Sequence, residues 1–261
     1  MNSRIQTFTI TFGDQAENNV GMQKIGSLSN DGFSYEDLSK MYLWFEENGI
    51  VCELYNLKCL IDNSTNTDNY DDAYMLIVRN GLDVLLNPHT ADDFYVEQNN
   101  LEKDTKAYMY GRVVNKNARH NLCFGHISQE PNYEQKMGRI VSFDSVPILN
   151  HLRLKFEHIL GDKGKNLVAE GNYYYDITKT GISFHGDTER RKVIGVRLGA
   201  TLPLHFHWFY QNKPVGSRAE FLLNHGDIYV MSEKTTGNDW KKRNTPTLRH
   251  AAGAKKYLTI K

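Results

Sequence analysis

The sequence has few cysteines and no long apolar run. Its three cysteines, Cys52, Cys59 and Cys123, form no CxxC pair. Three cysteines cannot build a disulfide framework for 261 residues, so we expect free thiols in a reducing, intracellular compartment, the cytoplasm or nucleus. No apolar stretch approaches the roughly 18 residues that span a bilayer, and the amino terminus alternates like a strand, not like a signal peptide. The sequence therefore predicts a soluble protein with no membrane partner.

The chain also lacks net charge, because 31 Lys and Arg balance 31 Asp and Glu. This balance excludes a uniformly basic nucleic-acid coating protein and an acidic solvated tail. The charges are nevertheless divided, since residues 1–150 carry a net charge of −9 and residues 151–261 a net charge of +9. Any polyanionic partner is expected to approach the carboxy-terminal half.

Residues 1–104 predict a small β-α-β-β unit. Alternating polarity predicts a strand over 5–12, and the capping-box pair Ser34 and Asp37 predicts the start of a helix that ends near Gly49. Two further strands follow at 50–57 and 73–78, with an exposed polar loop between them. The role of this amino-terminal domain is not legible from its residues.

Residues 105–261 predict a second domain, built from many short strands and one amphipathic helix that begins at Pro147. We place the strands at 107–114, 138–143, 167–175, 182–187, 192–198, 202–209, 219–223, 227–232, 246–251 and 256–260. Short strands without alternating helices are typical of a double-sheet jelly roll, or double-stranded β-helix. The predicted fold class is therefore α+β, with the amino-terminal unit followed by a jelly roll.

One pattern in this second domain suggests a metal site. His185 and Asp187 are two residues apart, so in a strand both side chains point to the same face. With His250 from a distant strand they would form the 2-His-1-carboxylate triad that binds Fe(II) and leaves positions open for substrate and O₂. The spacing alone leaves a structural role for these residues open.

Two other patterns show how weak such spacing is by itself. A second His-Gly-Asp occurs at 225–227 between apolar runs, where we expect a hairpin turn without a chemical role. His205 and His207 also have strand spacing, but no carboxylate accompanies them, and we expect packed or hydrogen-bonded imidazoles.

A longer series of motifs makes residues 107–261 resemble the AlkB-like branch of the Fe(II)- and 2-oxoglutarate-dependent dioxygenases. The series comprises the proline-led helix, an Asn-x-Tyr strand (NYY), the SFHGD strand, the strand VIGVRLG, an apolar run into HGD (FLLNHGDIYVM) and the distal histidine. The first hundred residues are outside the resemblance. It implies a jelly-roll enzyme that uses Fe(II), 2-oxoglutarate as cosubstrate and O₂ to hydroxylate a carbon or remove an N-linked alkyl group.

The resemblance also implies roles for single residues. His185, Asp187 and His250 would bind Fe(II), and Asn172 and Tyr174 would hydrogen-bond 2-oxoglutarate.

Where the family has two arginines that bind the cosubstrate carboxylates, this chain has Lys255 and Lys261. A lysine offers a point charge without the planar fork of arginine. Other 2-oxoglutarate oxygenases, including prolyl hydroxylases, use a lysine at about the position of Lys261, which we therefore favour over Lys255. Arg197 is the remaining candidate, because it points away from the apolar face of its strand.

The substrate is less clearly indicated. Glu189 stands two positions after Asp187, where enzymes of this branch often read a flipped base. The basic stretches at 189–192, which includes Arg191, and at 241–243 could contact phosphates, and five aromatic side chains could stack on bases. The aromatic residues are Tyr173, Tyr175, Trp208, Phe209 and Tyr210. The resemblance places a substrate-recognition lid upstream, with Tyr110, Arg112, Asn115 and Arg119 as candidates.

Three functions follow from these features. The first is a dioxygenase that hydroxylates or dealkylates a nucleobase in single-stranded nucleic acid or flipped from a duplex. The second is a 2-oxoglutarate-dependent hydroxylase of a protein side chain or small molecule. The third is a non-catalytic binding module on the same scaffold.

Overall fold

The computed structural model describes residues 5–62 and 67–260 of the chain. Lys261, one of the predicted cosubstrate ligands, lies outside the described residues. The strands are β1 (Thr7–Gly13), β2 (Gln15–Glu17), β3 (Lys24–Gly26), β4 (Cys52–Asn56), β5 (Tyr74–Val78), β6 (Lys106–Met109), β7 (Arg112–Asn115), β8 (His120–Gly125), β9 (Ile140–Ser142), β10 (Val168–Tyr174), β11 (Gly181–His185), β12 (Val193–Gly199), β13 (Leu204–Tyr210), β14 (Lys213–Phe221), β15 (Ile228–Met231) and β16 (Thr247–Gly253). The helices are α1 (Tyr35–Glu47), α2 (Leu82–Leu86), α3 (Ala91–Asn99), α4 (Pro147–Leu160), α5 (Glu233–Thr236) and α6 (Lys255–Leu258).

Two of the helices begin where the sequence predicts. The hydroxyl of Ser34 accepts a hydrogen bond from the backbone N–H of Asp37, and the Asp37 carboxylate accepts one from the backbone N–H of Ser34, which closes the capping box of α1. Helix α4 begins at Pro147 and buries apolar side chains at helical spacing, including Leu149, Leu152 and Phe156.

The protein is a mixed α+β structure that contains one large, mainly antiparallel sheet. The order of its strands is β4-β5-β15-β12-β1-β10-β8-β9, and the short β8-β9 pair is parallel. A smaller antiparallel sheet has the order β11-β16-β13-β14. Two hairpins, β2-β3 and β6-β7, pair separately.

Strand alternation divides the core into two layers on the two faces of the large sheet. On one face, side chains such as Ile10, Val78 and Val196 pack against the helices α1–α4. On the other face, Ile77 and Tyr229 pack toward the small sheet. The resulting order of layers is helices, large sheet, small sheet. The side chains of β1, β10 and β12 that point away from the helices face the space between the two sheets.

Strand β1 lies in the middle of the large sheet. It pairs with β12 along one edge and with β10 along the other, over its whole length. Strands β4 and β5 extend the same sheet next to β15. The boundary predicted between residues 104 and 105 therefore does not coincide with a boundary between sheets, because strands from both sides of it pair with each other.

Several predicted elements differ from the structure. The strand predicted at 256–260 is wrong, because residues 255–258 form the helix α6. The strand predicted at 107–114 is instead the β6-β7 hairpin, which turns at Tyr110 and Gly111 with positive φ at both residues. Helices α2 and α3 and strand β8 are absent from the prediction.

Among the described residues, no helix combines the length and the apolar composition needed to cross a bilayer.

Candidate metal centre

A cavity of about 550 Å³ lies between the two sheets. The large sheet contributes polar side chains to it from three strands: Thr9 and Thr11 on β1, Glu170, Asn172 and Tyr174 on β10, and Arg197 on β12. The small sheet contributes His185 on β11 and His250 on β16. The predicted metal and cosubstrate residues of these strands therefore share one cavity.

His185 and His250 are brought together by strand pairing. They lie opposite each other in the antiparallel β11-β16 pair, and their ring centroids are 4.4 Å apart. The register shifts between Ile182 and His185, which marks a β-bulge next to the site. Such bulges re-aim a side chain locally. Here the bulge keeps His185 on the cavity side while Phe184 contacts His207, on the outer side of the small sheet.

The backbone fixes which nitrogen of His185 is free. Its Nδ1 lies 2.8 Å from the carbonyl oxygen of Ser183 and 3.0 Å from that of His250, and carbonyl oxygens only accept hydrogen bonds. Nδ1 therefore carries the hydrogen, and Nε2 keeps its lone pair toward Asp187. Burial, together with a smaller effect of the neighbouring His250, lowers the pKa of His185 to about 3, so the imidazole is neutral at pH 7.

Asp187 completes the group. Its Oδ1 lies 3.5 Å from Nε2 of His185 and 3.5 Å from Nε2 of His250. Burial alone would raise the pKa of this carboxyl, but His250, Arg190 and His185 together hold it well below its usual range. The group therefore presents one carboxylate and two imidazoles, with the ligand atoms of all three residues within 4.8 Å of one another.

The loop that carries Asp187 is held from several sides. The backbone N–H of Asp187 donates to the carbonyl of Thr236 (3.0 Å), and the Asn238 side chain donates to the carbonyls of Asp187, Thr188 and Arg190. A Cβ at position 186 would lie 2.0 Å from the carbonyl oxygen of Gly237, so only glycine fits between the histidine and the aspartate.

Arg190 ties the metal-binding group to the acidic wall of the cavity. Its guanidinium is buried, and it is hydrogen-bonded to Glu170 and, at 2.8 Å, to Glu189, with Nε 3.7 Å from Oδ2 of Asp187. Although burial disfavours the charge, these carboxylates raise the pKa of Arg190 well above its usual value. Arg190 therefore occupies the outer oxygen of Asp187 and leaves Oδ1 for the histidine side.

This set of donors fits a divalent transition metal such as Fe(II). Two imidazoles and one carboxylate are the donors of the 2-His-1-carboxylate set, which in general leaves coordination positions open for other ligands. The backbone carbonyls at His185 supply the outer hydrogen bonds that usually orient a metal ligand, and the guanidinium of Arg190 supplies a charge 3.7 Å from Asp187.

The predicted cosubstrate residues separate into two groups. Asn172 and Tyr174 line the cavity, where the side-chain oxygen of Asn172 accepts hydrogen bonds from Arg119 (2.5 Å) and Asn121 (2.7 Å). Lys255 is exposed on α6 and does not line the cavity.

Arg197 lies inside the cavity, where the sequence placed it as the alternative to the lysines. Its side chain is 1% exposed and donates to the hydroxyl of Thr9, while its Nε has no partner among the described residues. No described carboxylate forms an ion pair with it. The pKa of Arg197 is lowered, because burial removes the water that would stabilise its charge.

Of the four residues predicted to bind substrate, one lines the cavity. Glu189 does, and burial raises its pKa. Tyr110 is 90% exposed at the tip of the β6-β7 hairpin, and Arg112 is exposed beside it. Arg191 points elsewhere, to the carbonyl of Asn30 and the carboxylate of Glu233. Of the other two lid candidates, Arg119 lines the cavity and Asn115 does not.

The two predicted basic stretches differ in their exposure to solvent. Arg190 and Lys192 of the first are buried, so this stretch does not form a phosphate-binding surface. Residues 241–243 of the second are exposed. Among the predicted stacking residues, Trp208 and Phe209 are buried, Tyr173 stacks on Phe8, and Tyr210 is exposed.

The second His-Gly-Asp has a structural role. Gly226 adopts a positive φ of 90°, and the Asp227 carboxylate accepts hydrogen bonds from Arg79 and from the backbone of Asn80 and Asn224. The sequence predicts a hairpin turn here. The turn instead joins β14 of the small sheet to β15 of the large sheet, so it connects two sheets.

Sequence reasoning missed Glu170, Arg190 and Thr9 as part of the site. The alternation of side chains along the strands could have indicated two of them. Glu170 is two residues before Asn172 on β10 and therefore on the same face, and Thr9 alternates with the buried apolar side chains of β1. What the sequence does not reveal is that β1 lies beside β12 and β10.

Comparison with known proteins identifies a relative that matches nearly the whole chain. No family model matches the chain. The chain is 51% identical over 254 residues to a protein of Acanthamoeba polyphaga mimivirus named "Uncharacterized protein R156", and the match covers 97% of this chain and 98% of the viral protein. The chain belongs to the same protein family as this mimivirus protein.

Proposed function

We propose that the protein is an AlkB-like Fe(II)- and 2-oxoglutarate-dependent dioxygenase that hydroxylates or oxidatively dealkylates a nucleobase. The observation that carries the proposal is the group of His185, Asp187 and His250, whose donor atoms converge inside a cavity. Fe(II), when bound with 2-oxoglutarate and O₂, would supply the oxidation of a C–H bond. The chain's own residues hold the metal, orient the cosubstrate and exclude water.

The strand arrangement supports a jelly roll around this cavity. Four strands of the large sheet, β15-β12-β1-β10, face the four strands of the small sheet, and the chain passes between the sheets at every step from β10 to β16 except the β13-β14 hairpin. Eight strands in two facing sheets are typical of a double-sheet jelly roll. The eighth strand comes from the amino terminus, so β1 fills the place that we predicted for residues 256–260.

Arg197 is the best-placed group for the distal carboxylate of 2-oxoglutarate. It is a buried cation that forms no ion pair with any described residue, and such a charge costs folding free energy unless an anion compensates it. Its planar fork matches a carboxylate geometrically, as the family arginines would. Thr9 holds one arm of the fork through its hydroxyl. In this role Arg197 takes the place of both Lys255 and Lys261.

Glu189 lines the cavity next to the metal-binding group, where its carboxylate accepts a hydrogen bond from Arg190 (2.8 Å). A carboxylate at this place can accept hydrogen bonds from the edge of a base that has been flipped into the cavity.

The metal and cosubstrate part is tested spectroscopically. Anaerobic addition of Fe(II) and 2-oxoglutarate to the wild type is expected to give the weak visible charge-transfer band of the chelate. The variant Asp187→Ala is expected to lack the band, whereas His225→Gln, in the second His-Gly-Asp, is expected to keep it. A wild type without the band would overturn the proposal.

The substrate part is tested by mass spectrometry. An oligonucleotide pool and a peptide pool are incubated with the loaded enzyme, and the products are searched for the gain of an oxygen atom or the loss of a methylene. Changes confined to the oligonucleotides are expected. Changes confined to the peptides would replace the nucleobase by a protein side chain as the substrate.

A further inference from the structure

The outer face of the small sheet carries aromatic side chains alternating with arginines. Arg249 lies over the ring of Phe209 (4.2 Å to the centroid) and over that of Trp240 (5.2 Å), and Arg218 lies over Phe184 (5.0 Å). Phe184 also contacts Phe209, with ring centroids 6.0 Å apart. Helices α1–α4 and the large sheet lie on the other side of the small sheet. Because Phe209 and Arg249 are themselves buried, the partly exposed rings that this face offers to a ligand are those of Phe184 and Trp240.

This face continues directly into the cavity. Phe184 and Trp240 each belong to the aromatic series and also line the cavity that contains the metal-binding group. Lys241, which follows Trp240 and lies over its ring (5.7 Å), lines the cavity as well. A ligand that lies on the face would therefore reach the metal-binding group without crossing another element.

The charge of the face is positive. Five exposed cations surround the aromatic series: Lys213, Arg218, Lys241, Lys242 and Arg243. The backbone N–H of Gln211 donates to the carbonyl of Arg243 (3.1 Å), which places residues 241–243 beside the β13-β14 turn and Lys213. None of the five forms an ion pair with a described residue, whereas Asp239 is paired with Lys234 (2.9 Å). The surface is therefore complementary to a polyanion.

We infer that the outer face of the small sheet binds single-stranded nucleic acid and leads one base into the cavity. Aromatic faces stack on unpaired bases whatever their sequence, and interspersed cations neutralise the phosphates. A duplex keeps its bases stacked inside, so it can use only the cations. The inference names the substrate form of the proposed function and rests on it for the chemistry, but the binding itself needs no metal.

The test measures the binding of a fluorescein-labelled oligothymidylate of about 15 nucleotides by fluorescence anisotropy over a range of salt concentrations. With three to five phosphates neutralised, the slope of log K against log[salt] is expected to be about −2 to −3.5. The triple variant K241Q/K242Q/R243Q is expected to bind at least about tenfold more weakly and to reduce the slope by about 2. Phe184→Leu is expected to weaken binding about tenfold with the slope unchanged, because it removes stacking and not charge.

The matched control is K40Q/K155Q, which removes two lysines from the helix layer on the far side of the large sheet. It is expected to bind like the wild type. If the affinity falls by the same factor per removed charge in this control and in the triple variant, the inference is overturned, because binding then follows net charge and not this face. Binding of a 15-base-pair duplex as tightly as the single strand would overturn it too.

The same assay separates this inference from the proposed function. The metal-free wild type is expected to bind the oligonucleotide as tightly as the protein loaded with Fe(II), since the face does not include the metal-binding group. If the chelate band is absent while single-strand binding behaves as expected, the surface stands and the dioxygenase proposal fails. If the band is present and the oligonucleotide does not bind, the surface is refuted and the metal site stands.

Discussion

The Nε of Arg190 lies 3.7 Å from Oδ2 of Asp187, while Oδ1 of the same carboxylate faces the two imidazoles. The guanidinium thus lies on the side of the carboxylate that faces away from the two imidazoles. Groups that orient a ligand in this way typically contribute 10- to 100-fold to metal affinity.

Arg190→Lys keeps a positive charge near Glu170 and Glu189 but loses the planar guanidinium whose Nε lies 3.7 Å from Asp187. We expect the affinity for Co(II), a stand-in for Fe(II), to fall by about 10- to 100-fold in calorimetric titrations. The control is Arg191→Lys, since the neighbouring Arg191 pairs with Glu233 outside the cavity. Equal affinities in the two variants would show that Arg190 does not position Asp187.

Gly186 allows the metal-binding loop to pack against the segment after α5. A Cβ there would lie 2.0 Å from the carbonyl oxygen of Gly237 and 2.8 Å from the ring of Trp240. We expect Gly186→Ala to lower the free energy of unfolding by about 2–3 kcal/mol and to weaken metal binding, because the loop must move. In Gly125→Ala the nearest contact is 3.5 Å, so chemical denaturation should show a much smaller loss.

The local signals in the sequence predict local structure well. The Ser34–Asp37 capping box and Pro147 mark the starts of α1 and α4, because capping and proline act within a few residues. The spacing of His185 and Asp187 likewise puts both in one cavity, since the strand and the bulge are local features.

Long-range pairing is what the sequence does not specify. The alternation of TFTITF predicts β1, but nothing in it says that β1 pairs with β12 and β10, about 190 and 165 residues away along the chain. The sequence therefore favours the lysines near the carboxy terminus over Arg197 as the cation that binds the carboxylate. Of the described candidates for this role, only Arg197 lies in the cavity.

Arg197→Met tests this assignment. We expect the affinity for 2-oxoglutarate, measured by titration of the anaerobic Fe(II) complex, to fall at least about 30-fold, because a charged hydrogen-bonded pair of about 2 kcal/mol or more is lost. Metal affinity should change little. The free energy of unfolding without ligand should stay equal or rise, because a buried cation without an ion pair is removed.

Lys255→Gln is the matched control for Arg197→Met, since Lys255 is exposed on α6. It should leave 2-oxoglutarate binding unchanged. If instead Lys255→Gln weakens binding and Arg197→Met does not, the cosubstrate carboxylate is bound at the carboxy terminus, as the sequence first indicated.

Lys116 gives a pH-dependent term in stability away from the metal-binding group. Its ammonium donates to Asn121 (3.1 Å) and Asn18, and burial lowers its pKa to about 8, with Arg119 lowering it and Asp104 and Glu170 opposing the shift. In the unfolded chain a lysine titrates near its ordinary pKa of about 10.4. Between these values the unfolded state binds more protons, so this group makes the free energy of unfolding rise with pH.

The measurement compares wild type with Lys116→Met by urea denaturation from pH 6 to pH 10, because titrating groups that lie far from Lys116 affect both proteins alike. Below about pH 7 the two stability curves should run parallel, since Lys116 is then protonated in both states. Between pH 7 and pH 10 the free energy of unfolding of the wild type should rise by about 2 kcal/mol relative to that of the variant, since each unit of pKa difference corresponds to 1.36 kcal/mol. Curves that remain parallel up to pH 10 would mean that Lys116 keeps its proton in the folded protein, and that Asn18, Asn121 and the nearby carboxylates offset the cost of burying its charge.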